Sequence, residues 1–565
     1  MNRRNFIQLS AAGSIVSAFP LITASACSNA AGSSTKLKAK ELSADLVVAG
    51  GGLGGCAAAL GALRNGLKVI LTEETDWIGG QITSQGVPPD EHQWIETHGA
   101  TQLYRDFRTA VRQYYIRNYP LTDIARARQF LNPGDGAVSR LCHEPRVALA
   151  VLYEMLNPYI SSGKLTLLSE YKATCADVQG NKVRSLKIAH VFNKDEKILS
   201  APYFVDATEL GDLLPMTGTE FITGAESRND TKELHAPEKA DPKNQQAFTL
   251  VFAMDYDKDG NHTIDKPAEY DFWSNYVPEI TPPWPGRFLS LTYNVPSTLE
   301  PKTLGFHPEG IRTGDVLNLW NYRRIINKNN FVEGSYVGDI SIVNWPQNDY
   351  LLGNLDTSEK EFERHLARAK QLNLSLFYWL QTEAPRPDGG QGWPGLRLRG
   401  DIMGTCDGMA KYPYIRESRR IKALFTVLEE HVGKENRMMV SGENTAAEFY
   451  DSVGVGYYHI DLHPSTGGDN YIDFPSLPFQ IPLGSLIPQR IENLLPANKN
   501  IGTTHITNGC YRLHPVEWSI GEVTGMLAHF AMQKNTSPRA IRENPDLLSD
   551  FQQMIQSQGV EIKWK

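Results

Sequence analysis

The stretch Asp45-Leu46-Val47-Val48-Ala49-Gly50-Gly51-Gly52-Leu53-Gly54-Gly55 restricts the possible folds of this chain more than any other part of it. Gly50, Gly52 and Gly55 fit G-x-G-x-x-G, with Gly54 beside them on the same turn. In that pattern the first glycine makes a tight turn, the second lets a pyrophosphate approach the backbone, and the third seats a helix against a strand. The small-residue run Cys56 to Leu63 follows as the helix, and Leu67 to Glu73 as a second buried strand closing on an acid. The helix N-terminus would present unpaired N–H groups to the phosphates. A glycine turn that serves packing alone explains the turn but not the strand, helix and acid together. Glu73 is expected to accept hydrogen bonds from a ribose, the alternative being a solvated acid beside Glu74.

After the acid, Asp76-Trp77-Ile78-Gly79-Gly80-Gln81 supplies two more glycines where a second close approach of backbone to ligand is needed. Here the chain resembles the FAD-dependent oxidoreductases of the glutathione-reductase-like superfamily, whose FAD fingerprint ends in such a Gly-Gly loop. Asp206-Ala207-Thr208-Glu209-Leu210-Gly211-Asp212 resembles the superfamily's Ala-Thr-Gly motif, with Glu209 in place of the glycine, and more closely the Asp-Ala-Thr-x-x-Gly-Asp version of one bacterial family of these enzymes. The resemblance implies that Thr208 and Asp212 lie near the diphosphate and adenosine. Arg416-Glu417-Ser418-Arg419-Arg420-Ile421 is similar to a segment of the same family. So is the closing motif from Asn493 to Val516, which puts Gly509, Leu513 and the following helix N-terminus against the flavin. The resemblance covers residues 44–220 and 410–535. Ile82-Thr83-Ser84 offers no histidine for a covalent tether, so the implied cofactor is non-covalent FAD.

At 565 residues the chain is long for one domain, and the expected fold class is α/β. It comprises a Rossmann-like FAD-binding domain with a parallel sheet and a β-meander, plus an inserted α+β cap or substrate domain. The boundaries read as signal peptide 1–26, linker 27–43, FAD-binding domain 44–220, cap 221–409, return segment 410–535 and C-terminal tail 536–565. Helical spacing is expected over 101–119 and from Pro145 through Leu156, short alternating strands over 164–191, and a helix from Val516 to Phe530 in which Gly521 and Gly525 permit close packing. The cap holds six of the chain's 10 tryptophans, a core filling or, on the sharper reading, the lining of a sugar or aromatic site. Asp255 to Gly260 opens like a calcium loop, but Lys266 stands at the twelfth position, so no metal is expected.

Arg3-Arg4 before an apolar run resembles a Tat signal, the route that carries a folded cofactor protein out of the cytoplasm. Ala24-Ser25-Ala26 precedes Cys27, so a free periplasmic protein and a lipoprotein anchored through acylated Cys27 both stay open. A net charge of −8 gives no reason to expect nucleic acid. The expected reaction is oxidation of a small organic substrate, an alcohol or sugar, by hydride transfer to flavin N5. A histidine takes the proton, and a quinone, redox protein or oxygen acts as electron acceptor. His463, His505 and His514 are the candidate acid–base residues, with Arg416 as substrate contact. Two further readings are a C=C reductase of the fumarate-reductase sort and a glycan-binding surface protein with a vestigial FAD fold.

Overall fold

The computed structural model describes residues 39–312 and 314–564. The expected signal peptide, Cys27 and the linker up to residue 38 lie outside the described residues. The first half of the chain gives strands β1 (Lys40–Ser43) and β2 (Leu46–Ala49), helix α1 (Leu53–Arg64), β3 (Val69–Glu73), α2 (Gln102–Asn118) and α3 (Pro145–Ser161), then β4 (Leu165–Ser169), β5 (Tyr171–Gln179), β6 (Lys182–His190), β7 (Glu196–Ser200) and β8 (Tyr203–Asp206). The middle contributes β9 (Phe252–Tyr256), β10 (Arg324–Ile326), β11 (Ile340–Val343), the long α4 (Glu359–Thr382) and β12 (Leu396–Leu398). The chain then returns through β13 (Leu494–Pro496), α5 (His505–Tyr511) and α6 (His514–Gln533).

Five of these strands form a sheet in the order β13-β8-β2-β3-β4, with every neighbouring pair parallel. Every residue of β2, β3 and β8 is buried, as strands covered on both faces require. α1 is buried from Leu53 through Leu63, which its run of alanine and glycine tolerates because no large side chain has to be placed. α6 crosses it at backbone contact. A Cβ on Gly521 would stand 2.0 Å from the carbonyl oxygen of Gly54, and one on Gly525 2.0 Å from that of Ala58. The doubly wound fold class therefore holds, and α6 runs two residues earlier than expected because Pro515 is tolerated in a first helical turn.

β5, β6 and β7 form the expected antiparallel meander. Lys40–Ser43, which the sequence places in the linker, extends that sheet as β1, parallel to β7. Its partly buried Leu42 reaches the meander core, and its charged residues suit an edge strand. The cap sheet runs β10-β11-β9-β12 and is antiparallel. Asp255, at the start of the calcium-like stretch, is buried between Arg397 at 2.6 Å and Arg399 at 2.8 Å, a structural ion pair. One contiguous apolar core runs from Val48 and Cys56 through Phe252 to Trp273 and Trp345, so the cap shares its interior with the parallel-sheet region. The segment read as a tail forms two helices, Pro538–Glu543 and Pro545–Ser557, whose Phe551 meets Phe530 of α6 at 5.3 Å between ring centres. Among the described residues no helix is long and apolar enough to cross a membrane.

Candidate functional site

The first cleft opens at the C-terminal ends of β2, β3 and β8 and is lined by Gly50, Gly52, Glu73, Gly80, Thr208 and Asp212 among others. The glycines of the turn divide by role. Gly50 has φ +95°, and a Cβ there would lie 2.3 Å from the oxygen of Ala207. A Cβ on Gly55 would lie 2.0 Å from the oxygen of Gly50, and one on Gly54 1.8 Å from that of Ala497. These positions hold helix, turn and sheet together. Gly52 differs, because its nearest neighbour is the tip of the Glu209 side chain at 2.8 Å and the next atom is 3.7 Å away. Gly79 also builds the wall, with φ +107° and its N–H donating to the oxygen of Gly51 at 2.7 Å. Gly509 packs on Leu462 and Asp461, and Leu513 is the buried residue preceding α6, so neither lines this cleft.

Glu73 accepts the N–H of Gly51 at 2.9 Å through one oxygen and the N–H and hydroxyl of Thr75 at 2.9 and 2.8 Å through the other. Burial pushes its carboxyl up to about 7, against the pull of the Thr75 hydrogen bonds. The Thr208 hydroxyl donates to Asp206 at 2.7 Å and accepts the Asp212 N–H at 2.7 Å, fixing the turn after β8 despite Glu209. Asp212 meets Arg419 at 3.2 Å, yet burial outweighs that cation and raises its carboxyl.

Whether these residues suit a dinucleotide is tested by Glu209. Its Oε1 lies 2.8 Å from the Cβ positions of both Gly52 and Gly80, is buried, and has no hydrogen-bond partner among the described residues. Its Oε2 is 2.6 Å from Nζ of Lys499, a lysine with 2% exposure that also meets Asn498 at 2.8 Å and Glu517 at 3.4 Å. A carboxylate oxygen thus occupies a seat between the second glycine of the turn and the Gly-Gly loop, with a buried cation behind it. It stands in for an anionic ligand oxygen, and the site fits a diphosphate. Burial works against the charge of Lys499, but Glu209 and Glu517 outweigh it. Lys499 and Glu517 carry no motif; the signal for Lys499 was a polar Asn-Lys-Asn one residue after β13.

A line of polar contacts leads from this seat to a second cavity. The Gly54 N–H donates to Glu517 at 3.0 Å, Gln81 donates to Glu517 and to the backbone oxygen of Arg512, and Arg512 meets Asp461 at 3.1 Å and the Tyr414 hydroxyl at 2.9 Å. Gln81, expected at the cofactor, is wholly buried in this line. The second cavity is walled by cap and return-segment residues, including Arg416, Asp461, His463 and Arg512. His463 Nδ1 lies 2.6 Å from Asp349 Oδ2. A carboxylate only accepts, so Nδ1 carries a proton, and a ring that has lost its other proton has its lone pair on Nε2. Asp349 is held in turn by Arg416 at 3.1 Å and the Thr249 hydroxyl at 2.5 Å. Burial opposes its charge, but Arg416 and His463 hold its carboxyl below the usual range. Asp461, 3.8 Å from His463 Nε2, is likewise buried, yet His463, Arg512 and His459 bring it down to about 2.

The other two candidate histidines are placed elsewhere. His505 is buried 2.9 Å from Glu417, which also pairs with Arg420, and Arg420 meets Glu226 at 3.0 Å. This is an ion cluster at the start of α5, and none of its residues lines either cavity. His514 accepts the Asp90 N–H at 3.1 Å, and burial pushes its ring down to about 3. Asp349, the partner of His463, is a further residue that the sequence did not mark. All six cap tryptophans are buried, and of them Trp345 lines the second cavity.

Among solved structures, the chain is similar to L-proline dehydrogenase from P. horikoshii, with 15% identity, 35% of this chain, 27% of that one and a TM-score of 0.18. E. coli quinol fumarate reductase FrdA gives 11% identity, 92% of this chain, 74% of that one and a TM-score of 0.31. The anhydrotetracycline hydroxylase OxyS from Streptomyces rimosus gives 9%, 91%, 66% and 0.33. The chain thus spans about a quarter of the proline dehydrogenase's length, and scores of this size carry no argument about mechanism. No curated protein matches the chain. The family described as FAD dependent oxidoreductase matches residues 45–555, and with nearly the whole described chain inside that match, this protein belongs to that family and takes FAD as its cofactor.

Proposed function

We propose that the protein is an FAD-dependent dehydrogenase that oxidises an alcohol group, with His463 as the base and Asp349 as the residue that positions it. The observation that carries this reading is the Asp349–His463 pair at the wall of the second cavity, joined through Asp461, Arg512 and Gln81 to the diphosphate seat. FAD, when bound, would supply the two-electron acceptor for the hydride that leaves the carbinol carbon. His463 Nε2 takes the hydroxyl proton as the C–O single bond becomes C=O. Asp349, kept ionised by Arg416, stabilises the imidazolium that results. Gly52, Gly80 and Lys499 would hold the diphosphate and Glu73 the ribose, without a covalent tether.

The flavin would be reoxidised by a quinone, a redox protein or oxygen. Export by the Tat route, to the periplasm or to a membrane anchor at Cys27, rests on the sequence of the first 27 residues, as membership of the glutathione-reductase-like superfamily rests on its motifs. Anaerobic titration of the purified flavoprotein tests the reaction. Bleaching of the oxidised flavin by alcohols, lost or slowed in Asp349→Asn, supports it. Reoxidation of pre-reduced protein by an unsaturated acid, with no bleaching by any alcohol, replaces it with a C=C reductase.

A further inference from the structure

The second cavity is built from charges that cancel. Arg323 faces Asp90 at 3.2 Å, Arg416 faces Asp349 at 3.1 Å, Arg512 faces Asp461 at 3.1 Å, and His459 faces Asp473 at 3.0 Å. Each guanidinium on the wall already has its carboxylate. A carboxylate or phosphate substrate would have to displace one of these aspartates, leaving a buried charge unpaired at heavy cost.

Between the ion pairs the walls are aromatic: Tyr293, Tyr322, Tyr458, Tyr471 and Trp345 all line the cavity. Such rings offer flat apolar faces with polar edges. Several buried polar atoms of the same wall have no hydrogen-bond partner among the described residues. They are Nε of Arg323, Arg416 and Arg512, Nδ2 of Asn344, Nε1 of Trp345 and the Tyr471 hydroxyl. Asp90 Oδ1 also makes no hydrogen bond, although Arg323 stands near it. Native interiors satisfy nearly all such groups, so a cluster of them around one cavity calls for a partner.

We infer that the alcohol oxidised here is carried on an uncharged, polyhydroxylated ring of the pyranoside class; this rests on the dehydrogenase reading of the same site. The partner must accept from several N–H groups and also donate to a carboxylate oxygen. Sugar hydroxyls do both, whereas a quinone has only acceptors and a simple alcohol satisfies one group at a time. The two faces of a pyranose ring match the tyrosine and tryptophan walls, and its lack of charge matches the balanced ion pairs.

Calorimetric titration of anaerobic holoenzyme tests the inference, using methyl pyranosides of gluco, galacto, manno and xylo configuration, the methyl glucuronide and galacturonide, and cyclohexanol. At least one neutral glycoside is expected to bind about tenfold or more tightly than the uronates and cyclohexanol. Tyr471→Phe, and separately Asn344→Ala, should weaken that glycoside about tenfold while leaving FAD content unchanged. Preference for the uronates, or no binding of any neutral glycoside at millimolar concentration, overturns it. The two readings fail separately. A glycoside that binds without bleaching the flavin removes the dehydrogenase reading, while bleaching by cyclohexanol with no glycoside bound removes the ring and leaves the dehydrogenase.

Discussion

Gly52 and Gly55 sit in one turn and have different physical roles, which makes them separable by mutation. A Cβ at Gly55 runs into the backbone of Gly50, whereas one at Gly52 meets only the movable end of Glu209. Gly55→Ala should therefore lower the unfolding midpoint, and Gly52→Ala should leave the circular dichroism melt unchanged while weakening FAD binding about tenfold or more in reconstitution titrations. Equal melts with equal flavin content in both variants would contradict this division. Glu209 places a competing anion in the diphosphate seat, so Glu209→Gln should tighten FAD and Lys499→Met weaken it, each by about tenfold as read from flavin fluorescence on titration of apoprotein. Unchanged affinity in both would remove Lys499 from the diphosphate site. The glycines and Glu73 were legible because one local segment carries strand, turn, helix and acid together. His463 was legible only as one of three histidines. Its distinguishing partner, Asp349, lies 114 residues away and carries no motif, so only the fold brings the pair together.

At the scale of elements, α1 and α6 define the support beneath the diphosphate seat. Gly521 and Gly525 on α6 and Gly61 on α1 bring the two backbones into contact, a Cβ on Gly61 falling 2.3 Å from the oxygen of Glu522. Gly525→Ala should destabilise the protein by about 1–3 kcal/mol in urea titrations, through overpacking at a contact with no slack. A change within experimental error would mean that the helices can separate freely. This close packing was readable from the small residues of both helices. β1 was not, since Lys40–Ser43 is polar and short, and its strand conformation comes from pairing with β7 rather than from any pattern of its own. The helices of the C-terminal segment were also passed over, although Pro538 and Pro545 stand at first-turn positions after capping Ser537 and Asn544.

At the scale of the whole molecule, ion pairs reach deep into the interior and tie stability to pH. Glu417 is buried, but His505 and Arg420 hold its carboxyl down to about 2, against 4.5 when unfolded. Its folded value is depressed, so its stabilising contribution is present above pH 4.5 and is lost as pH falls toward 2. Urea midpoints should fall through that window, and Glu417→Gln should be less stable at pH 7 with a shallower acid limb; an acid limb identical to the wild type would contradict the assignment. The shared core explains why the cavity could not be read from the sequence. Arg416 and Asp349, 67 residues apart, meet there only in the folded chain. Substrate oxidation turns on one proton transfer, from the substrate hydroxyl to His463 Nε2. The most direct measurement is the anaerobic rate of flavin reduction by a saturating alcohol substrate in wild type and in His463→Gln, each at full flavin occupancy. A fall of about 10²- to 10⁴-fold in the variant with its FAD retained is the predicted result, and equal rates in the two proteins would contradict it.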